Sequence, residues 1–177
     1  MRKICLYTAA SLDGFIARED ESLDWLDHFP HIEGEDYGYQ AFYNSIDTTL
    51  MGNATYRLVQ GFDVPFPYPD KTNYVFTRDA TLTQDEHVKY VSGDIITFTE
   101  NLKQEEGGDI WLVGGSQINA MFLENDLIDE IYLSVIPVYL GKGIHLFHGV
   151  GSGNLILREQ KTYDNGVMKL LYKTKHG

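Results

Sequence analysis

The stretch at residues 110–134, IWLVGGSQINAMFLENDLIDEIYLS, decides the fold. It begins with an apolar run, breaks at Gly114-Gly115, continues as an amphipathic pattern from Ser116 to Glu124 and ends in a second apolar run. These runs predict a strand, a helix and a strand, the unit from which parallel sheets are built. Glycine at the break lets the backbone approach a ligand, and the first N–H groups of the helix suit a phosphate. For this dipeptide taken alone, a tight turn that needs positive φ is the alternative.

A second junction of the same kind occurs at residues 51–55, Met-Gly-Asn-Ala-Thr. A short buried strand, 48–52, ends at Gly52, and a short helix, 53–58, follows it. Two helix N-termini that lie at the carboxyl ends of parallel strands can converge on one elongated anionic ligand. Neither junction carries the G-x-G-x-x-G fingerprint, so the pattern alone does not name the ligand.

The remaining patterns predict an α/β fold. Further strands are expected at 4–9, 73–77, 88–91 and 129–136, and further helices from Asp36 to Ile46 and over 95–105. Segments 155–162 and 167–174 flank Asp-Asn-Gly at 164–166, which is a strong hairpin signal. The sequence therefore predicts a single domain over 1–177, with a mostly parallel central sheet, an antiparallel C-terminal hairpin and flanking helices.

Composition excludes several classes of function. The formal net charge of −12 opposes binding to phosphate backbones and anionic membrane surfaces. The single cysteine, Cys5, rules out an internal disulfide, and the six histidines lack metal-ligand spacing, so no metal is expected. The amino-terminal residues have neither a signal-peptide layout nor a membrane-spanning run, so we expect a cytoplasmic protein.

Four motifs in order carry a resemblance to a known family. They are residues 7–17 (YTAASLDGFIA), 50–56 (LMGNATY), 111–116 (WLVGGS) and 141–147 (GKGIHLF). Together they resemble the dihydrofolate reductase-like family, and more closely its branch related to the reductase domain of bacterial riboflavin biosynthesis, the RibD C-terminal domain. The resemblance covers nearly the whole chain and implies an NADPH-dependent reductase.

The resemblance also implies a set of cofactor-binding residues. Those expected to line the nicotinamide are Ala9, Ile16 and Ala17. Those expected to hold the pyrophosphate are Gly52, Asn53 and Thr55 from one side, and Gly114, Gly115, Ser116, Gln117 and Ile118 from the other. Thr77 and Arg78 fall where the family holds the adenosine 2′-phosphate, which the planar fork of an arginine suits. The family's frequent arginine after Met-Gly is Asn53 here, so the choice between NADPH and NADH stays open.

Two residues are candidates for the proton chemistry. Reduction of a C=N bond needs a proton for the nitrogen, and a carboxyl group of raised pKa in a semi-apolar pocket can relay one. By the resemblance, Asp36 is the acid and Ser134 the hydroxyl residue that supports it. A helix N-cap is the alternative role for Asp36. Tyr37, Gln40 and Tyr43 are the candidates for a pocket that takes a flat heterocycle.

The sequence therefore leads to two hypotheses of function. The first is an NADPH-dependent reductase of a pterin, pyrimidine or related heterocycle, of the riboflavin-biosynthesis or dihydrofolate reductase type. The alternative is a dinucleotide-binding module without turnover. The resemblance also implies a homodimer, to which we expect the apolar strand from Ile131 to Val138 to contribute.

Overall fold

The computed structural model describes residues 1–62 and 64–175. Within these ranges, eight strands form one sheet in the order β5-β4-β3-β6-β1-β7-β10-β9, and β2 pairs with β8 in a small second sheet. The strands are β1 Ile4–Ser11, β2 Phe15–Ala17, β3 Ile46–Gly52, β4 Thr72–Phe76, β5 Lys89–Val91, β6 Asp109–Gly114, β7 Glu130–Ile136, β8 Ile144–His145, β9 Ile156–Thr162 and β10 Met168–Lys173. The helices are α1 Asp24–Asp27, α2 Tyr39–Ser45, α3 Asn53–Gln60, α4 Ile95–Gln104 and α5 Ser116–Glu124.

The main sheet is parallel from β5 to β7 and antiparallel at its C-terminal edge. Strands β5, β4, β3, β6, β1 and β7 pair in parallel, whereas β10 runs antiparallel to both β7 and β9. The predicted fold class, an α/β fold with a mostly parallel sheet and a C-terminal hairpin, is confirmed.

Alternate residues of the central strands pack into cores on opposite faces of the sheet, because successive side chains of a strand point to opposite sides. Ile4 and Leu6 of β1 join one core with Leu102 of α4 and Phe122 of α5. Cys5, between them, joins another core that includes Phe42 of α2 and Tyr56 of α3. Helices therefore cover both faces and leave the carboxyl edge of the parallel strands for the loops that carry function.

Several predicted boundaries differ from those in the structure. Helix α5 has the predicted bounds, but the helix predicted to begin at Asp36 begins at Tyr39, because Tyr37 and Gly38 both have positive φ. The short elements α1, β2 and β8 were not predicted. Asp63, His176 and Gly177 of the predicted domain lie outside the described residues, and a single domain stays a prediction.

Strand β7 lies inside the sheet. Both of its hydrogen-bonding edges are used, one by β1 and the other by β10. The sheet ends two strands further on, at β9, and the contribution of 131–138 to a dimer stays a prediction. In the described ranges, no helix is both long and apolar enough to cross a lipid bilayer.

Candidate active site

The two glycine junctions lie side by side at the carboxyl edge of the sheet. Strands β3 and β6 are neighbours, and Met51 pairs with Gly114. Helix α3 begins at Asn53, directly after Gly52, and α5 begins at Ser116, directly after Gly115. The parallel topology thus brings together two strand ends that are more than sixty positions apart in the sequence, as the carboxyl-edge argument predicts.

Each junction presses against the helix of the other. A Cβ atom built on Gly52 would lie 3.2 Å from Cγ1 of Ile118, and one built on Gly115 would lie 3.1 Å from Oγ1 of Thr55. Gly114, in a cis peptide with Gly115, has φ +113°, which favours glycine. The glycines therefore let the starts of α3 and α5 approach each other closely, with the side chains of Ile118 and Thr55 packed against the bare backbone.

The junctions also hold polar groups without protein partners. The hydroxyl of Ser116 is buried and makes no hydrogen bond within the described residues. Neither α3 nor α5 has a side-chain hydrogen bond at its N-cap, and the first N–H groups of a helix have no partner within the helix itself. Unpaired donors beside bare backbone fit a phosphate-containing ligand, and the residues present therefore fit the pyrophosphate of a dinucleotide.

A cavity of about 410 Å³ adjoins the start of α3. Asn53 and Ala54 line it, together with Arg57 one helical turn later and Glu21 from the loop between β2 and α1. Arg57 was not predicted as a site residue. It lies four residues after Asn53, and residues at this spacing share one face of a helix. Arg57 therefore brings a positive charge to the cavity, although Asn53 stands at the position where the family often has arginine.

The predicted 2′-phosphate residues follow the neighbouring strand. Phe76, the last residue of β4, pairs with Gly52, so Thr77 and Arg78 lie beside the Gly52 junction. Thr77 is buried and its hydroxyl accepts the N–H of Asp79 at 3.1 Å, whereas Arg78 is exposed. Of this pair, Arg78 therefore has the side chain that is free to reach a phosphate.

The residues predicted to line the nicotinamide are on the other side of the glycine junctions. Ala9 is on β1, which neighbours β6, and Ile16 and Ala17 are on β2, which pairs with β8. Asp13 fixes this segment, because its carboxylate accepts the N–H groups of Leu140 and Gly141. These bonds and a 2.6 Å bond from the Ser11 hydroxyl lower the pKa of Asp13 to about 2.

A second cavity, of about 140 Å³, adjoins Ala9 and brings both predicted catalytic residues together. Asp36 and Ser134 line it, with Tyr7 and Tyr37 as aromatic walls and Leu26, Phe29, Ile136 and Val167 as apolar ones. Gln40 and Tyr43 lie outside this lining. The Gln40 side chain binds Asn44, and the Tyr43 hydroxyl binds Asp70. Of the three residues predicted for the substrate, the cavity therefore contains Tyr37.

Asp36 has a different electrostatic state from the one expected. Its carboxylate accepts the N–H of Gln40 at 2.9 Å and that of Gly38 at 2.7 Å. These bonds, with the nearby charge of Lys169, lower the pKa of Asp36, whereas the proposed relay needs a raised one. Asp36 thus accepts N–H groups at the start of α2, which is the kind of bond that the N-cap alternative predicts. Its carboxylate also lines the cavity.

Lys169 is the nearby residue that sequence reasoning missed. It lies on β10 in register with Ser134, which in turn pairs with Ala9. Its Nζ atom donates to the carbonyl of Tyr37 at 2.7 Å. No local motif marks this lysine. The signal available in the sequence is the alternation of side chains along the hairpin strand, which assigns Lys169 to the same face as Leu171. Within residues 1–62 and 64–175, no cluster of three or more metal-ligating side chains is found.

Comparisons with known proteins find relatives that cover most of the chain. The uncharacterized protein YwjB of Bacillus subtilis is 51% identical over 148 residues, which cover 83% of each chain. A Shewanella sp. PV-4 protein described as belonging to riboflavin biosynthesis superposes with a TM-score of 0.86 and 28% identity, covering 98% of this chain and 99% of that one. Dihydrofolate reductase of Enterococcus faecalis, solved with NADP(H), gives a TM-score of 0.69 at 16% identity, covers 98% and 96%, and shows likeness of fold.

The family model described as the RibD C-terminal domain matches residues 2–169. That match includes both glycine junctions, the cavity beside Ala9 and Lys169. The chain belongs to the RibD C-terminal domain family.

Proposed function

We propose that the protein is an NADPH-dependent reductase of a pterin-, pyrimidine- or related heterocyclic substrate. The observation that carries the proposal is the contact between the two glycine junctions, Gly52 with α5 and Gly115 with α3, beside a cavity that contains Asp36 and Ser134. Membership of a family of reductases supports oxidoreductase chemistry in general.

The order of the strands supports an extended cofactor. Along the carboxyl edge, Arg78 follows β4, Gly52 ends β3, Gly114 ends β6 and Ala9 lies on β1. This is the order in which the 2′-phosphate, the pyrophosphate and the nicotinamide of an extended NADPH follow one another. When bound, NADPH supplies a hydride, and the protein holds the phosphates with helix N–H groups, the Ser116 hydroxyl and Arg78.

The cavity of about 140 Å³ supports a flat, ring-sized substrate. Tyr7 and Tyr37 offer aromatic surfaces, and the Tyr7 hydroxyl donates to the Tyr37 carbonyl at 3.4 Å, which holds the two walls together. The Asp36 carboxylate accepts a hydrogen bond from a ring N–H, an amino group or a water molecule. Its lowered pKa favours a role in orienting the substrate or the proton-donating water over that of a stored proton.

The alternative is a dinucleotide-binding module without turnover. The ionised state of Asp36 favours it, because an acid of low pKa is a poor proton donor near neutral pH. Under this alternative, the glycine junctions bind the cofactor and the neighbouring cavity carries out no reaction.

Two measurements test the proposal in order. Calorimetric titration with NADPH and NADH tests whether the two glycine junctions bind a dinucleotide. If neither nucleotide binds, both the reductase and the binding-module functions are excluded. Oxidation of NADPH is then followed with a panel of pteridines, pyrimidines and quinones. Steady turnover with any of them removes the binding-module alternative, whereas binding without oxidation across the panel supports it. A homodimer and a cytoplasmic location stay predictions.

A further inference from the structure

A half-buried lysine stands behind the cavity that contains Asp36. Lys169, Ser134 and Ala9 are in register on three adjacent strands, so their side chains share one face of the sheet. The Nζ atom of Lys169 lies 2.7 Å from the Tyr37 carbonyl oxygen and 5.2 Å from the centre of the Tyr7 ring. A cation at this distance from an aromatic ring is attracted to its face. The C-terminal hairpin therefore brings a positive charge to the row of residues that forms the cavity.

The backbone opposite Lys169 is shaped to receive it. Tyr37 and Gly38 have φ of +53° and +77°, a left-handed corner that is rare for a tyrosine. The Tyr37 carbonyl accepts from both Lys169 and the Tyr7 hydroxyl. A Cβ atom on Gly38 would lie 2.6 Å from Nζ of Lys169, so a side chain there would displace the ammonium from this position.

This corner also fixes Asp36, which directly precedes it. The N–H groups that the Asp36 carboxylate accepts belong to Gly38 within the corner and to Gln40 in the first turn of α2. Lys169 therefore acts on Asp36 in two ways. It holds the carbonyl of the corner in place, and it contributes a positive charge near the carboxylate.

Other charges surround the lysine. Those that act on Lys169 besides Asp36 are Glu35, Glu159 and Lys161, and burial lowers its pKa. Lys161 lies 3.7 Å from Glu35 and faces the Tyr163 ring, whereas the positive charge of Lys169 stabilises the Asp36 carboxylate. On the cavity side, the titratable groups beside Asp36 are Tyr7, Tyr37 and His31.

We infer that Lys169 is a positioning residue for Asp36: its ammonium, seated in the space left by Gly38, holds the Tyr37–Gly38 corner and thereby the carboxylate in the cavity lining. That this carboxylate faces a substrate rests on the proposed function. The contact itself is independent of it. Lys169 positions the Asp36 carboxylate and stabilises its negative charge, and it transfers no proton.

The contact between Gly38 and Lys169 is tested by thermal unfolding of a double-mutant cycle. Lys169→Met keeps the apolar stem but removes the ammonium. Gly38→Ala is expected to lower Tm more in the wild-type background than in the Lys169→Met background, because the new methyl group meets Nζ only in the former. Gly34→Ala is the matched control, since Gly34 has φ +76° and open space around its Cβ position.

Gly34→Ala is expected to lower Tm equally in both backgrounds. Equal losses for Gly38→Ala in the two backgrounds would show that the ammonium does not occupy that space, and would overturn the inference.

The effect on the carboxylate is tested by titrating Asp36 with carbon-13 NMR. Removing a nearby positive charge destabilises the ionised form, so the pKa of Asp36 should move upward in Lys169→Met. Lys89→Met, on β5 at the opposite edge of the sheet, removes the same charge and should leave that pKa in place. Should Lys169→Met fail to fold, Lys169→Gln keeps a donor for the Tyr37 carbonyl and serves in the same titration.

An Asp36 pKa that is unchanged in the folded Lys169 variant would refute the role. Neither the double-mutant cycle nor the Asp36 titration needs cofactor or turnover, so these measurements separate this inference from the proposed function. If the wild-type protein binds no nicotinamide nucleotide, the function fails while the coupling and the titration still decide the role of Lys169. If turnover is found, the acidic limb of its pH profile should move upward in Lys169→Met, with NADPH affinity unchanged.

Discussion

Gly52 offers the sharpest test of whether the two glycine junctions bind the cofactor, because two substitutions at this position separate the effect on folding from the effect on binding. Gly52 has φ −75° and ψ 156°, an ordinary extended conformation that alanine and serine also adopt. Either substitution places a Cβ atom 3.2 Å from Cγ1 of Ile118, between the starts of α3 and α5. The two variants differ in one respect. Gly52 is the N-cap of α3, and serine caps a helix whereas alanine does not.

The expected magnitudes follow from these contacts. Alanine is a poorer N-cap than glycine, and the Ile118 side chain must move by a few tenths of an ångström, so Gly52→Ala should lose about 1–2 kcal/mol of unfolding free energy. For a chain of this size that is about 2–8 °C in Tm. Gly52→Ser regains about 1 kcal/mol, because its hydroxyl accepts an N–H group of the first turn.

Binding should respond differently from folding. In both variants the new methyl or methylene group keeps a phosphate away from the helix N–H groups. The loss of one hydrogen bond to a charged group costs about 1.5–3 kcal/mol, which is about 10–150-fold in the dissociation constant of NADPH. Serine and alanine should therefore weaken NADPH binding alike, although they differ in stability.

The assay pairs calorimetry for NADPH with thermal unfolding of each variant. Gly153→Ala is the control, since nothing lies within 4 Å of its Cβ position, and it should change neither property. The reasoning is refuted if a folded Gly52→Ser protein binds NADPH as tightly as the wild type does. That result would mean that the phosphates do not pass between the two junctions.

Three further changes probe other parts of the site. Asp36→Asn should leave NADPH affinity unchanged while lowering turnover about a hundredfold, and a steady-state assay with an active substrate that shows unchanged turnover would assign the proton chemistry elsewhere. Arg78→Gln should weaken NADPH about tenfold but leave NADH binding unchanged, because only NADPH carries the 2′-phosphate, and calorimetry with both nucleotides measures the difference. Asp13 has a pKa of about 2 against an ordinary 3.8, so its hydrogen bonds stabilise the fold above pH 3.8 and lose that effect as pH falls toward 2. Asp13→Asn should therefore lower Tm at neutral pH and converge with the wild type near pH 2, and a constant difference in Tm would contradict this.

The sequence predicts best where a signal is local and continuous. Helix α5 was predicted with both bounds correct, because Gly114-Gly115 marks its start and a nine-residue amphipathic pattern follows. The proximity of the two junctions was predictable as well, since parallel strands end at one edge. Strands β2 and β8, with three and two residues, carry no periodic pattern, and they pair across most of the chain.

The start of α2 was not predictable for a different reason. A left-handed tyrosine has no local signature, because the conformation is unfavourable for a side chain of that size. Tyr37 adopts it where its carbonyl meets Lys169, 132 positions away. The lowered pKa of Asp36 depends first on the N–H of Gln40 in the first turn of α2 and then on that of Gly38 in the corner, two contacts that the resemblance did not indicate.

The C-terminal hairpin therefore does more than cover the edge of the sheet. A shift of one residue in the pairing of β10 with β7 would turn Lys169 to the opposite face, because side chains alternate along a strand. The register is continuous from Met168 to Leu171, and the irregularity between β10 and β9 occurs after Leu171. The orientation of Lys169 follows from this register, and on the turn side of the hairpin the Asn165 amide donates to the Tyr37 hydroxyl at 2.7 Å. Two parts of the hairpin, a turn residue and a strand residue, therefore bind the same tyrosine, and through it the C-terminal edge is coupled to the carboxylate of the candidate active site.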